Sequence, residues 1–332
     1  MPESKYDAVI IGAGPAGLTA GIYCARRQLS TLIIAKSLGG QAALASEVEN
    51  WPGIKSISGF ELMNNFKEQT DKLGVKYNFN EVNKIEKTDD GFIIKTNKDE
   101  IEAKAVILSF GLTPRDLGVP GEEKLKGRGV TYCAICDGPL YKGKTVAVVG
   151  GGNSALEAAQ YLSKIAEKVY LLNQSDKFNV EPYLMDEINS IENLESYCFT
   201  KITEIKGENK VESIIIEDAR DGVEAREIFV NGVFIEIGHQ PKTGWLKDFI
   251  DLNEKGEIII DGSNKTTVEG IFAAGDCTNT EYKQIIIAAG EGAKAALQAY
   301  KYIVAKEGRS LRPDWGKCKT VEKEEVGKKL NK

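Results

Sequence analysis

The sequence predicts an α/β fold made of two parallel-sheet units of the Rossmann kind, and three observations carry that expectation. Residues 6–11 read as a buried strand that runs at once into Gly12-Ala13-Gly14-Pro15-Ala16-Gly17 and an apolar helical pattern over 18–27. The order returns about 140 residues later, with a strand over 145–149, the turn Gly150-Gly151-Gly152-Asn153-Ser154-Ala155 and a helix over 156–165. Each helix is followed by a second short strand, at 31–35 and at 169–172. A chain of 332 residues is long enough to bury two cores.

In a strand–G-x-G-x-x-G–helix unit the first glycine permits the tight turn, the second lets the backbone approach a pyrophosphate, and the third lets helix pack on strand. The pyrophosphate then lies on free N–H groups at the helix N-terminus. One departure is visible in the first unit. Its second strand ends in Ala35-Lys36, where an acid usually holds a ribose, so those hydroxyls need another partner.

Gly39-Gly40-Gln41 and Glu49-Asn50-Trp51-Pro52-Gly53 read as loops at the rim of a cofactor cleft, and 61–73 has helical periodicity. Stretches 75–79, 91–96 and 105–108 read as strands of a small meander returning to the sheet. Pro114 and the glycines at 118 and 121 punctuate the chain, and a domain boundary is expected there. Near the end, Gly270-Ile271-Phe272-Ala273-Ala274-Gly275-Asp276 is a short strand closing on an acid, followed by Gln284 and a helix over 285–304. An acid at a strand end suits a ribityl hydroxyl, and a helix N-terminus suits a flavin carbonyl.

Between the two units lies Cys133-Ala134-Ile135-Cys136-Asp137. Two thiols separated by two residues form a dithiol/disulfide couple, in which one sulfur attacks and the other resolves. Asp137 is placed to hand over or collect the proton. Zinc would need four ligands, and Cys24, Cys198, Cys277 and Cys318 are scattered singly beside one histidine, His239, so no metal is expected. Those four cysteines read as core or surface thiols, and His239 as a packing residue.

The net charge of −6, with no basic run interleaved with aromatics, argues against a nucleic-acid face. No apolar run approaches a membrane span, and the chain enters its first strand too soon for a signal peptide. The expected compartment is the cytoplasm, where a C-x-x-C pair is more often catalytic than structural.

Taken together, the first glycine turn, Gly39-Gly40-Gln41, Glu49-Asn50-Trp51-Pro52-Gly53, Lys126-Gly127-Arg128-Gly129-Val130, the cysteine pair, the second turn, Gly238-His239 and the stretch ending in Asp276 fall in one order. In that order the chain resembles the low-molecular-weight thioredoxin reductases over residues 5–305. The resemblance implies a homodimer with a discontinuous FAD-binding domain, 1–114 plus 244–332, and a redox-dithiol domain inserted at 115–243. It implies that Cys136 meets the isoalloxazine ring, that Cys133 attacks thioredoxin, and that Asp137 donates the proton. FAD would be held by Gly12, Gly14, Pro15, Ala16, Gly17, Gly40, Gln41, Asn50, Val82, Gly111, Gly275, Asp276, Lys283, Gln284 and Ile285. The inserted domain of most members binds NADPH and rotates so that the cysteines face flavin and solvent in turn.

The resemblance breaks at the electron donor. Where the family carries His-Arg-Arg and a further arginine to clamp the 2′-phosphate, this chain reads Asn173, Gln174, Ser175 and Lys177-Phe178-Asn179. Charge-assisted hydrogen bonds contribute about 1.5–3 kcal/mol each, so losing two or three costs at least about a hundredfold in affinity. Lys177 is a poor substitute for bidentate guanidinium groups. An NADH site would want an acid where Asn173 stands. Residues 115–243 hold 15 Lys and Arg against 21 Asp and Glu, a field that repels pyridine nucleotides. Ser109-Phe110-Gly111 replaces the usual Ala-Thr-Gly, and the ring of Phe110 would narrow the cleft that a nicotinamide enters.

In this respect the chain resembles the ferredoxin-dependent flavin thioredoxin reductases, which implies reduced ferredoxin as donor. Ferredoxin near about −400 mV and thioredoxin near about −270 mV make the two-electron transfer downhill by on the order of 6 kcal/mol. Acidic ferredoxins need a local basic patch, for which Lys124, Lys126 and Arg128 are the candidates, in a region the resemblance assigns to thioredoxin docking. Two alternatives stay open on the residues alone: a nicotinamide-dependent enzyme with a divergent site, and a flavin/dithiol sensor without turnover. The tail from Arg309, with Trp315 and Cys318, is a candidate cover for the vacant flavin face.

Overall fold

The computed structural model describes residues 5–45, 47–220 and 225–309. The tail with Trp315 and Cys318, expected as a cover for the flavin face, lies outside the described residues. From the N-terminus, β1 (Lys5–Ile11) turns into α1 (Pro15–Arg26) and returns as β2 (Thr31–Ile34); α2 (Gly59–Lys72) leads to β3 (Lys76–Asn78). Three strands follow, β4 (Val82–Lys87), β5 (Phe92–Thr96) and β6 (Glu100–Leu108). The short β7 (Thr113–Pro114) then leads through α3 (Glu122–Leu125) and β8 (Val130–Thr131) to α4 (Ala134–Asp137).

The second unit comprises β9 (Thr145–Val149), α5 (Asn153–Ser163), β10 (Lys168–Leu172), α6 (Pro182–Asn189) and β11 (Leu194–Tyr197). A ribbon of β12 (Thr200–Lys206), β13 (Ser213–Asp218) and β14 (Arg226–Phe229) precedes β15 (Gly232–Ile235). Last come β16 (His239–Gln240), β17 (Ile271–Ala273) and α7 (Ile285–Lys306).

The first sheet runs β3-β2-β1-β6-β5-β4, with β17 also paired to β6. Strand β6 is long enough for two neighbours on one side: its first half pairs antiparallel with β5, and its last three residues pair parallel with β17. This is how residues after 270 rejoin a sheet begun at residue 5. The second sheet, β11-β10-β9-β15-β8, draws all its strands from residues 130–235. Antiparallel pairing of β7 with β16, His239 against Pro114 and Gln240 against Thr113, ties the connections between the two together.

Both sheets have near-continuous apolar central strands, as parallel strands covered on both faces require. In β1, Ala8, Val9 and Ile10 are fully buried, and in β9 Val146, Ala147 and Val148 are. Small residues set the crossing of α1 on α7: a Cβ added at Gly292 would lie 2.1 Å from the Ala16 carbonyl oxygen. That contact fixes the first glycine turn, carried by α1, against the start of α7.

Two local expectations change. The strand expected at 75–79 is β3, which pairs parallel with β2 at the sheet edge instead of entering the meander, whose first strand is β4. The alternation in Val82–Lys87 is weak, with one buried side chain, Ile85, so its pattern is that of a surface hairpin. The ribbon β12–β14 has no counterpart among the elements expected from sequence. Among the described residues, no helix is long and apolar enough to cross a membrane.

Candidate active site

At the C-terminal ends of β1 and β2 opens a cavity of about 710 Å3. The first glycine turn forms its floor. Gly12 has a φ of +113°, and a Cβ there would sit 2.3 Å from the Ser109 carbonyl oxygen, so the turn needs glycine on both counts. Gly14 faces open space apart from the Gly39 carbonyl, leaving its backbone approachable. Of the residues expected to hold a flavin, Gly12, Gly14, Pro15, Ala16, Gly40, Gln41, Val82, Gly111, Gly275, Asp276, Lys283, Gln284 and Ile285 all line this cavity. Gly17 and Asn50 do not. Gly17 is buried in the packing of α1, where a Cβ would meet the Gly12 carbonyl oxygen, and Asn50 donates to the Gln284 side chain at 3.1 Å.

Asp276 is the polar anchor of the cavity. Burial raises its pKa, opposed by the charges of Lys283 and His239, and no hydrogen bond to its carboxylate is present among the described residues. A desolvated acceptor facing a cavity calls for a donor such as a ribityl hydroxyl. Lys283 is already engaged, with Glu257 at 3.0 Å and the Thr278 carbonyl at 2.6 Å. Glu81, which sequence reasoning missed, lines the cavity and pairs with Lys36 at 2.6 Å. It brings to the end of β2 the carboxylate that Ala35-Lys36 lacks, and only folding of the β3–β4 connection reveals this. The cradle fits FAD in donor and acceptor chemistry.

Phe110 and Trp245 also line the cavity, their ring centroids 6.1 Å apart. Beside Phe110 the cavity wall thus carries a second ring, from the segment after β16. His239 pairs with Pro114 through its backbone and is exposed, so it is not part of a packed core, although partial desolvation lowers its pKa. Cys24 and Cys277 are buried free thiols, each pushed up to about 12 by burial, and Cys198 is half-buried. None of the three is an activated thiol.

Cys133 and Cys136 form a disulfide, with Cα atoms 5.4 Å apart. Cys133 ends the extended chain after β8 and Cys136 sits one turn into α4, where its N–H donates to the Cys133 sulfur at 3.2 Å. The Thr131 hydroxyl donates to the Asp137 carboxylate and accepts from the Cys133 N–H at 3.3 Å, tying acid and cysteine to one side chain. Cys136 is exposed, as are Ile135 and Leu140. The pair does not line the flavin cavity. The structure thus holds Cys136 away from the position expected opposite the ring, because the cysteines ride on the second sheet and the cavity on the first.

The second glycine turn is packed by its own chain at Gly151 and open at Gly152. The Asn173 side chain is buried against Gly151, where an added Cβ would lie 2.6 Å from Asn173 Oδ1. Asn173 Nδ2 donates to the Lys177 carbonyl at 2.8 Å, and Oδ1 accepts from the Ser175 N–H at 3.1 Å. The Asn179 N–H donates to the Gly151 carbonyl at 2.7 Å. Residues 173–179 therefore fold back onto Gly151, while Gly152, the glycine that a pyrophosphate would approach, stays open. Of the basic candidates near the cysteines, Lys126 is held by Asp116 at 3.3 Å and lies over the Tyr132 ring, and Lys124 donates to the Gly207 carbonyl at 3.0 Å.

The model of the pyridine nucleotide-disulphide oxidoreductase family matches residues 6–292. The chain belongs to this family. It is 42% identical over 306 residues to a 34.2 kDa protein of the rubredoxin operon of Clostridium pasteurianum, covering 92% of this chain and 99% of that one. It is also 42% identical over 304 residues to an alkyl hydroperoxide reductase polypeptide of Staphylococcus aureus, covering 91% of this chain but only 60% of that longer protein. Among solved structures it resembles Lactococcus lactis thioredoxin reductase in its FR conformation (37% identity, TM-score 0.78, 90% and 99% of the two chains). It resembles a ferredoxin-flavin thioredoxin reductase of Clostridium acetobutylicum less closely as a whole (35% identity, TM-score 0.51, 91% and 99%). The two-domain fold is that of the thioredoxin reductases, whose family binds FAD. This family member is accordingly a flavoprotein disulfide oxidoreductase of thioredoxin-reductase type, with Cys133–Cys136 as its redox-active pair.

Proposed function

We propose that this protein reduces thioredoxin through FAD and the Cys133–Cys136 dithiol, and that its electrons come from reduced ferredoxin and not from a nicotinamide. The observation that carries the choice of donor is that residues 173–179 hold no arginine and that Asn173, in the clamp position, is buried against Gly151 and bonded within its own segment. A pyridine nucleotide could approach the open Gly152 but would find no arginine at 173–179 to hold a 2′-phosphate, only Asn173 with its side chain already bonded within the segment. The likeness to a ferredoxin-flavin enzyme supports the same reading.

Bound FAD supplies the conversion between single electrons from the donor and the pair that a disulfide needs. The chain's own part follows from its residues. Asp276 and the Gly12–Gly17 turn hold the cofactor, and Asp137, positioned by Thr131, exchanges a proton with the dithiol. Exposed Ile135 and Leu140 offer the apolar rim on which thioredoxin docks while Cys133 attacks its disulfide. Residues 115–243 turn about the β7–β16 connection to bring Cys136 to the flavin and back. A homodimer in the cytoplasm is part of the same reading.

Anaerobic stopped-flow mixing tests the donor. Reduced ferredoxin should bleach the flavin band and sustain thioredoxin reduction, whereas NADPH or NADH at millimolar concentration should leave the band unbleached over the same interval. Rapid bleaching by either nucleotide would sink the ferredoxin reading. Bleaching by ferredoxin with no thioredoxin turnover would favour a redox sensor.

A further inference from the structure

Beneath the redox turn lies a carboxyl group that the proposed chemistry does not yet use. Strand β15 pairs in parallel with β8, Val233 beside Val130 and Phe234 beside Thr131. Carried on by two residues, that register sets Glu236 beside Cys133. The Glu236 N–H donates to the Val149 carbonyl at 2.8 Å, and its own carbonyl closes on Gly150, so its backbone is held at the head of the second glycine turn. Its side chain turns towards the cysteines, where the Ala134 N–H, between Cys133 and Cys136, faces the Glu236 carboxyl and favours its charged form. Among the described residues, the other elements packed around it contribute one charged group, Glu157 of α5, of the same sign.

We infer that Glu236 is a positioning and proton-holding residue for the dithiol, propping the peptide between the two cysteines and taking up one of the protons that accompany disulfide reduction. Burial, aided by Glu157, already pushes its carboxyl up to about 7 while the disulfide is intact, with the Ala134 N–H opposing. On reduction the Cys133–Cys136 bond breaks and two electrons from the flavin leave two sulfurs. One sulfur takes a proton, and the negative charge of the other drives a second proton onto Glu236. When a substrate disulfide reoxidises the pair, the two protons leave with the product dithiol. Glu236 thereby couples the ionisation of the attacking thiol to its own.

The inference rests on Cys133–Cys136 being the redox centre, and its test is independent of the electron donor. FAD-loaded protein is reduced with dithiothreitol, freed of it anaerobically, and alkylated with iodoacetamide from about pH 5.5 to 10. Labelling of the Cys133 and Cys136 peptides is then read by mass spectrometry. The native protein should show two ionisation steps in the rate of the more reactive cysteine. Glu236→Gln, which keeps an acceptor for the Ala134 N–H but cannot ionise, should show one step and label about three- to tenfold faster near pH 7, since a neighbouring negative charge no longer opposes the thiolate. Glu236→Asp should restore the second step. Glu236→Ala should match Gln in its pH profile but re-form the disulfide more slowly under a thiol oxidant, having lost the prop. A Gln profile superimposable on the native one would overturn the proton role, and equal re-formation rates in Ala and Gln would overturn the positioning role. Neither failure would bear on ferredoxin as donor.

Discussion

At the scale of the residue, the redox turn packs its chemistry into a few side chains whose jobs separate by what each touches. Cys133 is half-buried at the end of extended chain, Cys136 is exposed, and Asp137 is held by the Thr131 hydroxyl. Cys133→Ser should lower thioredoxin turnover by at least about a thousandfold while the bound-flavin spectrum persists, because the cavity is built from other residues. Steady-state assay and absorbance scan check this together. Asp276→Ala should weaken FAD retention by about ten- to a hundredfold, the worth of a charged hydrogen bond of about 1.5–3 kcal/mol. Ultrafiltration of the holoprotein measures it. Glu236 also makes a stability prediction. Its carboxyl titrates near about 7 in the fold against an ordinary value of 4.5, so the native state binds the proton more tightly than the unfolded chain. The stabilisation is full below about 4.5 and is lost as pH rises through about 7. Urea midpoints of Glu236→Gln should decline less than those of the native protein across that interval.

Among the elements, the crossing of α1 on α7 decides whether the flavin cradle exists at all. Glycine at 292 brings the two helix backbones into contact, which sets Gly275 and the start of α7 facing the Gly12–Gly17 turn. Gly292→Val should cost about 1–3 kcal/mol as the helices are driven apart, and should release flavin in proportion. Thermal unfolding followed by flavin fluorescence reads both effects in one scan. The crossing was not legible beforehand, since a small residue in a helical pattern records no partner. The strand–turn–helix units were legible, because turn glycines and apolar runs are local signals. Strand β4 and the β12–β14 ribbon were missed for the opposite reason: their side chains alternate weakly, and pairing, not burial, makes them strands.

Over the whole molecule, two sheets meet through the short β7–β16 pairing, with the disulfide on one and the flavin cavity on the other. On the proposed function, turnover requires the second unit to move relative to the first. If that rotation limits the rate, doubling the solvent viscosity should about halve kcat with saturating donor and thioredoxin, as for other domain motions that gate turnover. A kcat independent of viscosity would place the slow step in the chemistry. The balance of charge over residues 115–243, 15 basic against 21 acidic, gives the moving unit a negative field. With Lys124 and Lys126 partly engaged, the exposed Arg128 is the freest of the three cations near the cysteines.

The sequence by itself determined the chemistry: a dithiol pair, two glycine turns, an acid closing a late strand, and the loss of arginines after the second turn. Each is written in consecutive residues, so spacing and side-chain type suffice to read it. Only the tertiary structure decided what those residues face. Asn173 in the chain is merely a neutral residue where a charge is expected, and folding makes it the side chain that covers Gly151. Glu81 and Glu236 carry no local signature either. They acquire their places, at the cavity rim and beneath Cys133, because strands distant in sequence share a sheet, and contact across a sheet is set by register that no single segment encodes.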